Sequence, residues 1–366
     1  MSKPIELLFL NGDGIGPEIV AATQHVLHAA DAAFGLELRF SEATIGFEAL
    51  AAEGTTLPLA VLKAARAADG IVLGPVSHNS YPDVSLGGVN PSGLLRKHLD
   101  LYANIRPSAT RDGLRPPCGK PFDLVVVREN TEGFYADRNM AEGSGEFMPD
   151  QDMALAIRKI TRKACRRIAE SAFALAATRP VPHVTAVHKA NVLRLSDGLF
   201  LEEVRAVASA HPSIAYDEEL VDAMAALLVR DAGRFDTIVT TNMFGDILSD
   251  LAAELSGSLG LAASLNAGEH HAMAQAQHGS APDIAGHGIA NPASLIGSAA
   301  MLLNWLAERH KAPALAQAGA AIDKALKTAV ARPDIRTPDL SGGGTTLGFA
   351  TFVAQTIAHD AINIHP

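Results

Sequence analysis

Two rhythms of apolar positions run through the chain. Ile5 to Leu10 is an apolar run of strand length that passes straight into Asn11-Gly12-Asp13-Gly14-Ile15-Gly16-Pro17-Glu18. Three glycines at alternate positions predict a turn of close backbone approach, and Pro17 with Glu18 opens a helix in the preferred way. Ala-rich segments of helical spacing at about 18 to 33 and 58 to 68 alternate with strand-like runs at 36 to 40 and 70 to 74. This is the βαβ rhythm of a mostly parallel sheet, and it predicts an α/β fold. Farther along, the strand DLVVVRE ends at Arg128, a helical pattern covers roughly 151 to 177 with its basic residues read as a solvated face, and a strand from His183 to Val187 ends in His188-Lys189-Ala190-Asn191. Residues 141 to 150 read as a polar, mobile segment and 266 to 291 as a long loop. A helix at about 292 to 309 carries Trp305 as core, and RTPDLSGGGTT, 336 to 346, is a Gly-rich turn ahead of a last helix.

The most informative stretch is 235 to 250, FDTIVTTNMFGDILSD. Ile238 and Val239 between threonines predict a short buried strand; Asn242 and Gly245 then punctuate the chain before a helix from Ile247. Asp246 and Asp250 are four apart, so both carboxylates project from one face of the first turn. Two like charges stacked there suit a hard divalent cation held by oxygen donors. A solvated turn whose acids favour the helix dipole would present the same spacing. A third acid, Asp222, opens the amphipathic helix within Asp217 to Val229.

Composition narrows the classes. The chain has 366 residues, 48% hydrophobic and 19% charged, enough for about two domains with a sizeable core. The formal net charge of −10, without a Lys/Arg run, argues against a nucleic-acid partner. Cys118 and Cys165 form neither a disulfide framework nor a CxxC site, as expected in a reducing, cytoplasmic setting. No 18-residue apolar run predicts a membrane span. The glycines at 12, 14 and 16 are spaced GxGxG with no GK[ST] after them, so neither a regular Rossmann fingerprint nor a P-loop is present, and a phosphotransferase reading fails with it.

Three arginines stand where helix faces alone would not require them: Arg96 in GLLRKHLD, Arg106 in YANIRP and Arg128 at a strand end. Half-buried guanidinium groups need acceptors, and a substrate with several carboxylates is one economical answer beside three separate structural ion pairs. Lys189, closing a strand, is a candidate base or a salt-bridge partner. His270 and His271 are adjacent on a loop without converging ligands and read as surface.

The ordered motifs NGDGIGPE, LDLYANIRP, VRENTEGFY, VHKANV, VDAM, TTNMFGDILSDLA and HGSAPDIAGHGIANP resemble the isocitrate/3-isopropylmalate dehydrogenase family of β-decarboxylating dehydrogenases over nearly the whole chain. The resemblance implies a two-domain α/β fold that is not a regular Rossmann fold, with 1–103 plus 258–366 as the larger, nucleotide-binding domain and 104–257 as the substrate, metal and dimerisation domain. It implies a homodimer with shared active sites. By position, Asp246 and Asp250 match metal ligands of one subunit and Asp222 the ligand from its partner, for Mg²⁺ or Mn²⁺. Arg96, Arg106 and Arg128 match carboxylate clamps with Ser92 beside them. Tyr135 and Lys189 match the acid/base pair, and His278, Gly279, Ser280, Ala281, Asp283, Ile284 and Asn291 match the nucleotide loop.

The implied reaction is oxidation of a 2-hydroxy acid at C2 followed by loss of its β-carboxylate, with Lys189 as base and Tyr135 as the acid at C3. A carboxylate at Asp283 accepts hydrogen bonds from ribose hydroxyls and repels a 2′-phosphate, which predicts NAD. Ser92 and Gly93, where the isopropylmalate branch places aliphatic residues, lean toward a polar C3 substituent, as in isocitrate or homoisocitrate; HGSAPDIAG leans toward 3-isopropylmalate. The remaining alternatives are a D-malate/tartrate dehydrogenase of the same family and a non-catalytic regulatory subunit of this fold. Ala274-Gln275 stands where many relatives show Phe-Glu, which removes a carboxylate expected near the nicotinamide end.

Overall fold

The computed structural model describes residues 4 to 135, 140 and 143 to 364. The chain begins with β1 (Ile5–Leu10), α1 (Gly16–Phe34), β2 (Leu38–Ala43), α2 (Gly46–Glu53), α3 (Leu59–Ala67), β3 (Gly70–Leu73), α4 (Pro91–His98), β4 (Ala103–Ala109) and β5 (Asp123–Glu129). It continues through β6 (Glu146–Asp150), β7 (Met153–Ala156), α5 (Arg162–Ala176), β8 (His183–His188), α6 (Ser196–Ala210), β9 (Ala215–Leu220), α7 (Val221–Asp231), β10 (Thr237–Thr240) and α8 (Asn242–Ser256). Then come β11 (Leu265–Ala267), β12 (Ala272–Gln275), α9 (Ala293–His310), α10 (Pro313–Ala331) and α11 (Thr346–Ile364).

A 10-stranded sheet has the order β2-β1-β3-β12-β11-β4-β5-β10-β8-β9. Both outer runs are parallel, whereas β12, β11, β4 and β5 pair antiparallel in the middle. The fold is therefore mixed α/β, as expected, and departs from a regular Rossmann sheet. Register explains what the centre is for. Arg106 of β4 lies opposite Val126 of β5, and Arg128 is two residues beyond, so both arginines leave the same face of the sheet. Thr240, the last residue of β10, lies beside Arg128, so α8 starts next to that guanidinium.

Helices cover both halves of the sheet. Ile19 and Val26 of α1 pack with Leu303, Ile322 and Phe349 of α9, α10 and α11, while Val61 and Leu95 of α3 and α4 meet Leu10 and Leu73. On the other half, Phe173 and Phe200 of α5 and α6 sit against Val127 and Val239, and Met224 and Leu248 of α7 and α8 against Val126 and Ile238. Among the described residues no helix is long and apolar enough to cross a membrane, and Cys118 and Cys165 are both free. The Gly-rich turn after β1 is filled by protein: a Cβ on Gly14 would lie 2.0 Å from the Ser280 carbonyl oxygen, and Asp13 accepts from the backbone of Phe47 and Ser77.

Several segments differ from what periodicity predicts. The helix expected from 151 is a strand, β7, followed by α5 from Arg162, whose start Thr161 caps by accepting from the Ala164 amide. Arg158 is not on a solvated face: its side chain is 7% exposed, pairs with Asp197, and lies 5.5 Å from each of the Phe134 and Phe244 rings. Arg162 and Arg166 share Glu203. Of the segment read as mobile, residues 141 and 142 lie outside the described residues, and 146 to 150 form β6 in a hairpin with β7. The expected loop at 266 to 291 contains most of β11 and all of β12. Trp305 is only half-buried, with the Arg309 guanidinium 5.4 Å from its ring.

The helix expected from Ile247 begins at Asn242, so Asp246 and Asp250 belong to its second and third turns rather than to the N-terminal turn, and Gly245 is inside it. Glycine is needed there because a Cβ would stand 2.6 Å from Arg128 Cγ. Alanine would otherwise favour a helix interior by about 1 kcal/mol. Gly245→Ala is nevertheless expected to lower the unfolding free energy by about 1–3 kcal/mol through overpacking, read from the urea midpoint; an unchanged or higher midpoint would contradict this packing role.

Candidate active site

Asp246 is the centre of the site. Its Oδ1 accepts from Arg106 Nη1 at 3.1 Å and, more closely, from Arg128 Nη1, while its Oδ2 accepts from the Tyr135 hydroxyl. Asp250, one turn on, takes Arg106 Nη1 at 3.3 Å and the Gln277 amide nitrogen at 2.6 Å. Arg128 is oriented by Asn242, whose carbonyl oxygen and Oδ1 both accept from its Nε at 2.9 Å. Ser249 accepts from Arg106 Nη1 at 2.7 Å. The arginine side chains are 1% and 7% exposed, whereas Asp246 and Asp250 are 36% and 53% exposed, so the positive groups form the floor and the carboxylates face outward.

Electrostatics follow from this arrangement. Burial pushes the Asp246 carboxyl up, but Arg128, Arg106 and the Tyr135 hydroxyl outweigh it and hold the group below the usual carboxylate range. Arg106 is pulled down to about 10 by burial and by Arg128 alongside it, and remains cationic at neutral pH. The sequence leaves the two acids looking like a repelling pair awaiting a cation; in this chain two buried guanidinium groups also steady them.

Asp246, Asp250, Arg106, Arg128, Tyr135 and Gln277 line a cavity of about 320 Å³ together with Ser92, Arg96, Gln275, His278 and Gly279. Arg96 donates to Asn130 Oδ1 at 3.2 Å and Gln275 Oε1 at 2.9 Å, and Ser92 donates to the same Gln275 oxygen at 3.0 Å. Gln275, expected at the nicotinamide end, thus touches the two residues expected to hold substrate. Asp222 and Lys189 are not brought in: they pair with each other, 64% and 25% exposed, and neither lines the cavity. Among the described residues no three His, Cys, Asp or Glu side chains converge as a metal site. Asp246 and Asp250 offer oxygen donors of the kind a hard cation takes, and a complete set would need oxygens from outside this subunit.

The nucleotide-loop candidates form a connected edge. The Ser280 hydroxyl meets Ser77 at 2.7 Å, and its carbonyl accepts from the Ile15 amide at 2.8 Å. Ala281 adopts a left-handed backbone at φ 37°, ahead of a 3-10 turn that displays Asp283 on the surface with Ile284 half-buried. Asn291 is buried, accepting from the Ala293 amide and donating to Asp339. His278 is half-buried, and burial lowers its pKa. Sequence reasoning passed over Asn242, Ser249 and Gln277. The first two share a helix face with Asp246 and Asp250 and were legible in the spacing 242, 246, 249, 250; nothing in the sequence marked Gln277.

The chain matches the family model for isocitrate/isopropylmalate dehydrogenase over residues 6–355. It belongs to that family. It is 40% identical over 353 residues to the isocitrate/homoisocitrate dehydrogenase of Thermus thermophilus, covering 96% of this chain and 98% of that one. It is 41% identical over 354 residues to the 3-isopropylmalate dehydrogenase of Methanothermobacter thermautotrophicus, covering 96% and 98%. The crystal structure of isocitrate dehydrogenase from Methylococcus capsulatus superposes with a TM-score of 0.85 at 37% identity, over 97% of this chain and 99% of that one. The isocitrate/isopropylmalate dehydrogenase fold is thus shared at full length, and the chain is a dehydrogenase.

Glu132, on the loop that holds Asn242 in place, supplies a pH handle. Its carboxyl is pushed up to about 7, chiefly by burial and against the hydrogen bonds from Thr161. A raised acid stabilises the fold below its unfolded pKa of about 4.3 and loses that contribution as pH rises through the folded value. The wild-type protein is expected to lose up to about 3 kcal/mol of unfolding free energy from this group between pH 5 and 8. Glu132→Gln should flatten that slope in urea titrations, and parallel slopes for the two proteins would contradict it.

Proposed function

We propose that the chain catalyses NAD- and divalent-cation-dependent oxidative decarboxylation of a 3-substituted (2R)-malate, such as isocitrate, homoisocitrate or 3-isopropylmalate, with D-malate and tartrate as the related alternatives. The supporting observation is the wall on which Asp246 and Asp250 stand beside Tyr135 over buried Arg106 and Arg128. A 2-hydroxy diacid presents anionic oxygens both to Arg96, whose guanidinium donates to the neutral amide oxygens of Asn130 and Gln275, and to a cation held by Asp246 and Asp250.

When bound, Mg²⁺ or Mn²⁺ would acidify the substrate hydroxyl and NAD would accept the hydride. The chain's own residues do the rest. Arg96, Arg106 and Arg128 orient the carboxylates, so that the C2 hydrogen and the departing carboxylate take fixed directions. Lys189, reaching in from the second copy of the proposed homodimer and in its neutral amine form, takes the C2 hydroxyl proton on Nζ. Tyr135 delivers a proton from its hydroxyl to C3 after decarboxylation, from a position Asp246 now secures. The exposed Asp283 carboxylate would accept from both adenosine ribose hydroxyls and oppose a 2′-phosphate, with His278, Gly279, Ser280, Ala281, Ile284 and Asn291 framing the same edge.

We further propose a homodimer in which Asp222 completes the ligand set of the opposite site. Apolar side chains left exposed on the β6–β7 hairpin and on α8, Met148 at 62% and Ile247 at 58% among them, suit a second copy. The separate hydrophobic clusters suit domains divided at 103/104 and 257/258. The two free cysteines suit a cytoplasmic setting.

NADH formation should require Mg²⁺ or Mn²⁺, disappear with chelator, and favour NAD⁺ over NADP⁺ in kcat/KM; activity without metal, or an NADP⁺ preference, would contradict the assignment. Tyr135→Phe should still deliver a first round of NADH in a rapid-mixing experiment and then stall, with steady-state turnover down by roughly 10²–10⁴-fold. Undiminished steady-state turnover would remove Tyr135 from the acid role.

A further inference from the structure

We propose that Asp197, locked in place by Arg158, positions Lys189, and that its effect falls on the catalytic site of the opposite subunit. The inference rests on the proposed homodimer with shared sites and adds to it a positioning residue for its base.

β8 ends at His188, and Lys189 begins a short strap that leads into α6. Apolar side chains stand out from the strap, Val192 at 66% exposure and Leu195 at 92%. Its nearest hydrogen bonds are local: the Val192 and Leu193 amides donate to the Lys189 carbonyl at 3.0 and 2.8 Å. Asp197 ties the strap to the body of the subunit, because its Oδ2 accepts from the Lys189 amide at 2.6 Å. The Lys189 ammonium meets Asp222, the other group that the proposed dimer lends to the opposite site.

Asp197 is fully buried, and its second carboxylate oxygen pairs with Arg158, itself buried. Arg158 Nη1 also donates to the Ser196 hydroxyl at 2.6 Å, and Nη2 donates at 3.1 Å to the hydroxyl of Thr241, the residue before α8. Its guanidinium lies against the rings of Phe134, next to Tyr135, and Phe244, within α8. An ion pair this deep adds little net stability over apolar side chains of similar volume. Its bonds are directional, however, and charge-assisted hydrogen bonds fix the groups they join. The pair therefore sets the main chain of Lys189 against the start of α8. A catalytic group displaced by about 1 Å loses about a hundredfold in rate. Substrate gripped by the three arginines would bind as before, so the loss belongs in kcat.

The test uses isocitrate and 3-isopropylmalate with NAD⁺ and Mg²⁺, read on the faster of the two. Asp197→Asn should lower kcat tenfold to a hundredfold and leave KM within about twofold. Refolded in equal amounts with Asp246→Asn protein, it should recover about a quarter of wild-type activity, because mixed dimers join its intact Asp246 to a well-held Lys189 from the other chain. Refolded with Asp222→Asn protein it should recover nothing, since every site then lacks either Asp222 or that support. An unchanged kcat, or equal behaviour with both partners, overturns the proposal. A control mixture of Asp222→Asn and Asp246→Asn separates the two ideas: no recovery there, with mixed dimers present, removes the shared-site dimer and this inference with it, whereas recovery there alone removes only the role of Asp197. Should Asp197→Asn fail to fold, Arg158→Met/Asp197→Leu takes its place, with a neutral pair in the same space. The same dependence on partner is expected, and turnover equal to wild type would make the ion pair merely structural.

Discussion

The hydrogen-bonded ion cluster at Asp246 is the constraint from which the site follows. Two guanidinium groups rise from the middle of a sheet where water hardly reaches them, and a buried charge stripped of its partner costs roughly 3–5 kcal/mol. Arg106 and Arg128 are tolerable there because α8 sets a carboxylate over both and an asparagine behind one of them. The same carboxylate steadies Tyr135. Structure and chemistry therefore share one group: what neutralises the sheet's arginines is what faces the cavity.

The antiparallel centre of the sheet makes this geometry possible. In an all-parallel sheet, β4 and β5 would run the same way and a crossover would separate them in sequence. Here the pairing of Arg106 with Val126 puts Arg128 two residues along on the same face, and β10 delivers α8 to that spot. Gly245 allows the helix to settle onto Arg128, so a residue that reads locally as a helix breaker is in fact a contact surface.

Much of this was legible in the residues alone. The strands ending at Leu10, Arg128 and His188, the helix carrying Asp222, the Asp246–Asp250 pair and the three arginines follow from apolar runs and from side chains that need partners, whereas Tyr135 was placed among them only by the family resemblance. What escaped has physical causes. The start of α8 was misplaced because Asn and Gly signal breaks whatever their tertiary neighbours. The β6–β7 hairpin was hidden because its strands are exposed on both sides, leaving no alternation to read. Arg158 was misjudged because only tertiary packing reveals a cation between two phenylalanine rings and Asp197. The contacts of Gln275 escaped because they join three parts of the chain, Arg96 on α4, Asn130 just past β5 and Asn266 on the paired strand β11, which no local pattern encodes.

The central claim is that one catalytic site needs Asp246 from one copy and Asp222 from another, since the latter stands outside the cavity of its own subunit. The direct measurement is complementation: Asp222→Asn and Asp246→Asn proteins, each inactive alone, are unfolded together, refolded and assayed. Random pairing in a two-fold dimer puts half the protein in mixed dimers with one intact site each, so about a quarter of wild-type activity should return. A mixture as inactive as its components, although mixed dimers are demonstrably present, would contradict the account.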